Sequence, residues 1–82
     1  MIRILLFGKL REDLDRSQLE CDAFEGGTVA ELRKMLQDSD PSWSDKFQKG
    51  AVLVAVNQVM VDEACRVSPS DEVAFFLPVT GG

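Results

Sequence analysis

The sequence predicts an α+β domain, with one main helix laid across a single β-sheet. Two observations carry that expectation. Short runs of strand-forming residues recur at residues 2–7, 17–22, 51–56, 59–61 and 72–77, while the stretch from Thr28 is the one long segment with apolar residues at helical spacing. The length of 82 residues then allows one modest core, because a chain of this size buries only about 60–65% of its unfolded surface. For one amphipathic helix and several strands, helix on sheet is the layer architecture that hides both apolar faces. A right-handed crossover from the second strand through the helix completes the expected topology.

Taken in order, residues 2–7 form the first strand and Gly8 ends it. Leu10 and Leu14, spaced i, i+4 among charges, fit a short helical turn or a loop. Residues 17–22 alternate polar and apolar, as a half-buried edge strand does, and Gly26-Gly27 breaks the chain. Thr28 opens the main helix. Its hydroxyl, with Glu31 three residues on, makes a capping box, and Val29, Leu32, Met35 and Leu36 share one helical face. Asp40-Pro41 starts a second short helix, proline being tolerated at the first position, with Trp43 and Phe47 tucked beneath it. Gly50 closes that region. The apolar run 51–56 is a strand, Asn57-Gln58 a tight turn and 59–61 the return strand. Residues 62–71 read as a loop, and 72–77 as the last strand.

Composition removes several kinds of function. Nine basic and 14 acidic residues give a net charge of −5. That charge repels phosphate backbones, so no nucleic-acid partner is expected, and it steers the chain toward basic protein surfaces. No apolar run approaches the roughly 20 residues of a membrane span. Residues 2–7 are too short for a secretory signal, so a cytoplasmic protein without membrane attachment is expected. The chain has no histidine, which removes the commonest metal ligand and the commonest general base near neutral pH. Cys21 and Cys65 stand in no ligand-like spacing, so no metal site is expected. Cys21 reads as a small buried hydrophobe and Cys65 as an incidental loop residue. A chain so equipped is a poor enzyme by itself.

Alternation along the strands splits the sheet into two faces. Ile2, Ile4, Leu6, Leu19, Cys21, Val59, Val61, Val73, Phe75 and Leu77 form a wholly apolar set, assigned to the core beneath the helix. The opposite set is polar at its margins (Arg3, Gln18, Glu20, Gln58, Asp62, Glu72) yet holds Leu5, Phe7, Met60, Ala74 and Phe76. Aromatic residues and Met clustered on an exposed sheet face have the character of a protein interface, provided the strand order makes them contiguous. Arg11 and Glu12 fit either a solvated pair or the margin of such an interface.

The last strand runs into Leu77-Pro78-Val79-Thr80-Gly81-Gly82, which divides the chain into a domain over 1–76 and a flexible tail over 77–82. Two terminal glycines fit simple fraying. Lacking Cβ atoms, they also fit a thread thin enough to carry a carboxylate into a narrow channel.

Residues 71–82, Asp-Glu-Val-Ala-Phe-Phe-Leu-Pro-Val-Thr-Gly-Gly, resemble the carboxy-terminal signature of the small, sulfur-carrying subunits of molybdopterin synthase. The resemblance extends to the opening strand with Arg11-Glu12, to Thr28-Val29-Ala30-Glu31-Leu32 and to Ala55-Val56-Asn57-Gln58, and so spans the chain. Two positions depart from the family pattern. Leu77 stands where a second proline is common, and Ser70 where a glycine commonly precedes Asp-Glu. The resemblance implies a ubiquitin-like β-grasp, a mixed sheet packed on one main helix. It further implies that an adenylating enzyme related to the ubiquitin activators joins AMP from ATP to the Gly82 carboxylate. A sulfur donor enzyme then replaces AMP to leave a thiocarboxylate, and the large, catalytic synthase subunit uses that sulfur on the pyranopterin precursor. Gly82 would be the reacting residue, and Gly81, Thr80, Val79 and Pro78 the tail that threads the partner. Leu5, Phe7, Met60 and Phe76, with Arg11, would be the interface. No cofactor is expected on this chain, ATP being used by the activating partner. Two other readings share the chemistry as far as the adenylate: a thiamine-pathway sulfur carrier, and a ubiquitin-like modifier conjugated to proteins through Gly82.

Overall fold

The first and last strands of the chain meet in the middle of its sheet. A computed structural model describes residues 2–22, 24–48, 50 and 52–77. The elements are β1 (Ile2–Leu6), α1 (Gly8–Leu14), β2 (Gln18–Cys21), β3 (Gly27–Thr28), α2 (Val29–Ser39), a 3-10 turn (Pro41–Trp43), β4 (Leu53–Val56), β5 (Val59–Val61), β6 (Arg66–Val67) and β7 (Glu72–Phe76). Five strands form one sheet in the order β2-β1-β7-β4-β5. β1 and β7 are parallel, Ile4 opposite Val73 and Leu6 opposite Phe75, and the neighbours β2, β4 and β5 join antiparallel. The sheet is thus mixed, with α2 as its main helix.

The core forms where alternation predicts it. Ile2, Ile4, Leu6, Val73 and Phe75 are buried on one face of the central strands, and Val29, Leu32 and Leu36 are buried on α2. Leu10 and Leu14 of α1 join the same cluster, as does Phe47, whose ring meets Phe75 edge-on at 5.5 Å. Trp43 lies 6.0 Å from Phe47, so the segment after α2 closes that end of the core. Leu77, the first residue of the expected tail, still packs against the cluster.

Helix α2 is fastened mainly at its first turn. Glu31 N–H donates to Thr28 Oγ1 at 3.2 Å and Thr28 N–H donates to Glu31 Oε1 at 3.0 Å, which completes the capping box. Two further N–H groups of that turn, which a helix leaves without internal acceptors, are taken up by the segment before β6: Val29 donates to Cys65 O at 2.9 Å and Ala30 to Glu63 O at 3.1 Å. Gly27, at φ +151°, makes room for this, because a Cβ there would lie 2.9 Å from the capping carboxylate. One turn on, Arg33 is buried and both oxygens of Glu63 accept from its guanidinium at 3.1 Å. Arg33 Nη1 also donates to Phe47 O at 2.7 Å. One buried cation therefore joins α2, the β5–β6 connection and the aromatic segment.

Two sequence expectations are corrected. The Gly26-Gly27 break and the 62–71 loop contain β3 and β6, which pair with each other, Gly27 opposite Val67 and Thr28 opposite Arg66. Two-residue strands are too short to show alternation, which is why the pattern missed them. Val59, assigned to the core, is 62% exposed, because it opens the edge strand β5. The segment 9–14, left between turn and loop, is helical as part of α1. The Asn57-Gln58 turn is observed, with φ of 50° and 71°, the positive pair that a two-residue hairpin of this hand requires.

The entry to β7 needs no glycine at Ser70. The positive-φ positions among the described residues do not include it. Asp71 organises the turn instead, accepting from Ser68 N–H at 2.8 Å and from Asn57 Nδ2 at 3.1 Å. The Ser68 backbone N–H, then the Asn57 side chain, hold the Asp71 carboxyl below its usual range. A carboxylate whose folded pKa is depressed stabilises the fold above its ordinary pKa, and that stabilisation is lost as pH falls through the folded value. Asp71→Asn is therefore expected to be less stable than the parent at neutral pH, with the gap narrowing below about pH 4 in urea titrations. Glu63→Ala, which leaves the largely buried Arg33 guanidinium without its carboxylate, is expected to destabilise by about 1–3 kcal/mol. Lys34→Ala, which removes an exposed i, i+4 pair with Asp38, should cost less than about 0.5 kcal/mol in the same measurement.

Candidate functional site

The sheet face turned away from α2 carries a contiguous apolar surface. Across the strands, Leu5 is opposite Ala74, Ala74 opposite Ala55, and Ala55 opposite Met60. These four side chains make one row from β1 to β5. A second row lies beside it. Phe76 is opposite Leu53, and on its other side Phe7, extended at φ −126° and ψ 157°, donates its N–H to Phe75 O at 3.2 Å. Phe7 thereby continues β1 by one residue on the outer face. Exposure is 49% for Phe7, 40% for Leu53 and 57% for Met60, with Leu5 and Phe76 half-buried. Large apolar groups held in solvent on a rigid sheet are the signature of a surface made to be covered.

At the far end of this face Arg3 lies 3.8 Å from Glu72, an exposed pair that contributes little to stability. The apolar rows sit at the opposite end, where β7 finishes and leads into residues 78–82.

Of the residues expected to form the interface, Leu5, Phe7, Met60 and Phe76 are brought together. Arg11 is not on the sheet. It is exposed on α1, and among the described residues it forms no ion pair with Glu12. Pro78, Val79, Thr80, Gly81 and Gly82 lie outside the described residues. Cys21 is half-buried with its thiol 3.3 Å from Met35 Sδ, and Cys65 is half-buried against the core. Among the described residues no group of His, Cys, Asp and Glu side chains could hold a metal ion, and no helix is long and apolar enough to cross a membrane.

Residues 4–82 match the description "ThiS family". The chain belongs to that family. A molybdopterin synthase sulfur carrier subunit from Haemophilus influenzae is 38% identical over 84 residues, covering 100% of both chains. Another from Escherichia coli is 38% identical over 82 residues, again over 100% of both. Among solved structures, SAMP1 from Haloferax volcanii superposes with a TM-score of 0.77 at 23% identity, over 99% of this chain and 98% of that one. That likeness establishes the shared ubiquitin-like β-grasp fold.

Leu53 is the surface residue that the sequence reading missed. The run from 51 to 56 is apolar throughout, so it has no alternation from which to assign faces. The pairing of Leu53 with Phe76 makes the assignment, and only the strand order supplies it. The two adjacent phenylalanines of β7 give a direct test. Phe75→Ala, at a fully buried position, is expected to destabilise by about 3–5 kcal/mol. Phe76→Ala should cost less, roughly 1–2 kcal/mol, since that ring lies on the outer face and is only partly buried. Thermal unfolding of the two variants checks the contrast.

Proposed function

We propose that this chain is the sulfur carrier subunit of a molybdopterin synthase, not catalytic by itself, whose reacting group is the Gly82 carboxylate. The observation that carries the reading is the full-length likeness to two sulfur carrier subunits at 38% identity. The contiguous apolar face supports it, because that face and the strand leading to residues 78–82 are the same piece of sheet.

In this scheme an adenylating enzyme spends ATP to turn the carboxylate, a poor acyl electrophile, into a mixed anhydride with AMP as leaving group. A sulfur donor displaces AMP and leaves a thiocarboxylate, a soft nucleophile. The large synthase subunit accepts residues 78–82 into its channel and uses the sulfur on the pyranopterin precursor. Hydrolysis returns the carboxylate. No step draws a general base, metal or cofactor from the carrier, which accords with a chain that contains no histidine. Its contribution is positioning, and the partners supply the reactive groups. Leu5, Leu53, Met60, Phe7 and Phe76 form the docking surface, and Gly81 keeps the thread slender beside Gly82.

Incubation with the activating enzyme, ATP and a sulfur source is expected to raise the intact mass by the exchange of one oxygen for sulfur. Deletion of Gly82 is expected to abolish both that gain and molybdenum-cofactor synthesis. Synthesis that survives the deletion would sink the proposal. Covalent adducts with other proteins in place of the mass gain would identify a modifier instead.

A further inference from the structure

A depression of about 310 Å³ lies where β4 begins and β5 ends, on the β4–β5 side of the sheet end at which β7 gives out. Val52, Leu53, Val54 and Val61 line its apolar part, and Asp62 and Glu63 line the rest. Leu53 belongs to both surfaces, since it lines this depression and also stands opposite Phe76 on the apolar face. The depression is therefore continuous with the docking surface and turns around the edge of the sheet.

Its two carboxylates are in different states. Glu63 is committed, with both oxygens accepting from Arg33. Asp62 is exposed, and among the described residues its side chain accepts a single hydrogen bond, from Ala64 N–H to Oδ1 at 2.9 Å. Its second oxygen has no partner among those residues. An apolar trough ending at a carboxylate oxygen that has no partner among the described residues matches a side chain that is apolar along its stem and cationic at its tip. Lysine and arginine have that chemistry.

We propose that this depression receives a lysine or arginine side chain of the large synthase subunit, whose stem lies on Val52, Leu53 and Val61 and whose charge meets Asp62. The inference rests on the reading of the apolar face as the docking surface for that subunit. An apolar face alone is weakly directional, because hydrophobic burial depends on area more than on angle. A charged contact placed off-centre, at the sheet end that leads to residues 78–82, fixes the rotation of the carrier about that face. The net charge of −5 attracts a basic surface from a distance. Asp62 gives that attraction an endpoint.

Calorimetric titration of the purified large subunit with the parent carrier and the Asp62→Asn, Asp62→Lys and Phe76→Ala variants, at low and high salt, tests the proposal. Asp62→Asn keeps the acceptor for Ala64 N–H and removes only the charge. At low salt it is expected to bind about three- to fivefold more weakly than the parent, and Asp62→Lys more weakly still. Both differences should close at high salt while the loss in Phe76→Ala persists. Circular dichroism melts of each variant separate lost binding from lost folding. Parent-like binding by Asp62→Asn at low salt, alongside weakened Phe76→Ala, would overturn the basic-contact proposal and leave the docking face standing. The same holds if Asp62→Lys alone is weakened, since a reversed charge repels without any native contact. If Phe76→Ala binds as the parent does, the docking face itself is wrong and this inference falls with it.

Discussion

The parallel pairing of β1 with β7 is the constraint on which the rest of this structure depends. It joins residues 2–6 to residues 72–76, nearly the whole length of the chain apart, and places both at the centre of the sheet. Central strands must be apolar on the face that meets the helix, which is why Ile2, Ile4, Leu6, Val73 and Phe75 are almost wholly excluded from water. The same register sets Phe7 beside Phe76 on the other face and Leu5 beside Ala74. A slip of one residue would exchange the two faces, driving Phe75 into solvent and Phe76 into the core. The exposed apolar face and the hydrophobic core are thus two consequences of one alignment.

The chemistry expected of this domain explains why so little of it is reactive. Sulfur transfer through a carboxylate needs a leaving group, a sulfur source and a shaped channel, and partners can bring all three. The carrier needs a stable mount and a surface that partners can grip. Stability comes from a small core closed by α1, α2 and the Trp43–Phe47 segment, and from the Arg33–Glu63 pair that binds α2 to the connection before β6. Arg33 also takes up the carbonyl of Phe47, so the aromatic that packs on Phe75 is held by the same guanidinium. The exposed apolar face lies on the side of the sheet that none of this uses, so covering it would leave the core undisturbed.

Much of this was legible in the sequence, wherever local chemistry decided the outcome. The Thr28 and Glu31 capping box, the Asn57-Gln58 turn, the helical face of Val29, Leu32 and Leu36, and the opposite fates of Phe75 and Phe76 each follow from spacing alone. Outcomes decided by distant partners were not legible. The β3–β6 pair has two residues a side and exists because Gly27 and Val67 meet across the fold. Val59 has the right parity for the core but sits on an edge strand. The burial of Arg33 depends on Glu63, thirty positions away, and a lone arginine on a helix gives no sign of it. The apolar face was visible as a set of residues but not as a surface, because contiguity is a property of strand order.

The strand that leads to residues 78–82 has hydrogen-bonded neighbours on both sides, β1 parallel and β4 antiparallel. Load that reaches Phe76 along the chain is therefore shared by two ladders of bonds at once. Bonds of central strands are in general among the last of a domain to open. Had the last strand been at an edge, the same load could have peeled it away one bond at a time. Load arriving from residues 78–82 would enter the sheet at its middle and not at a seam that unzips.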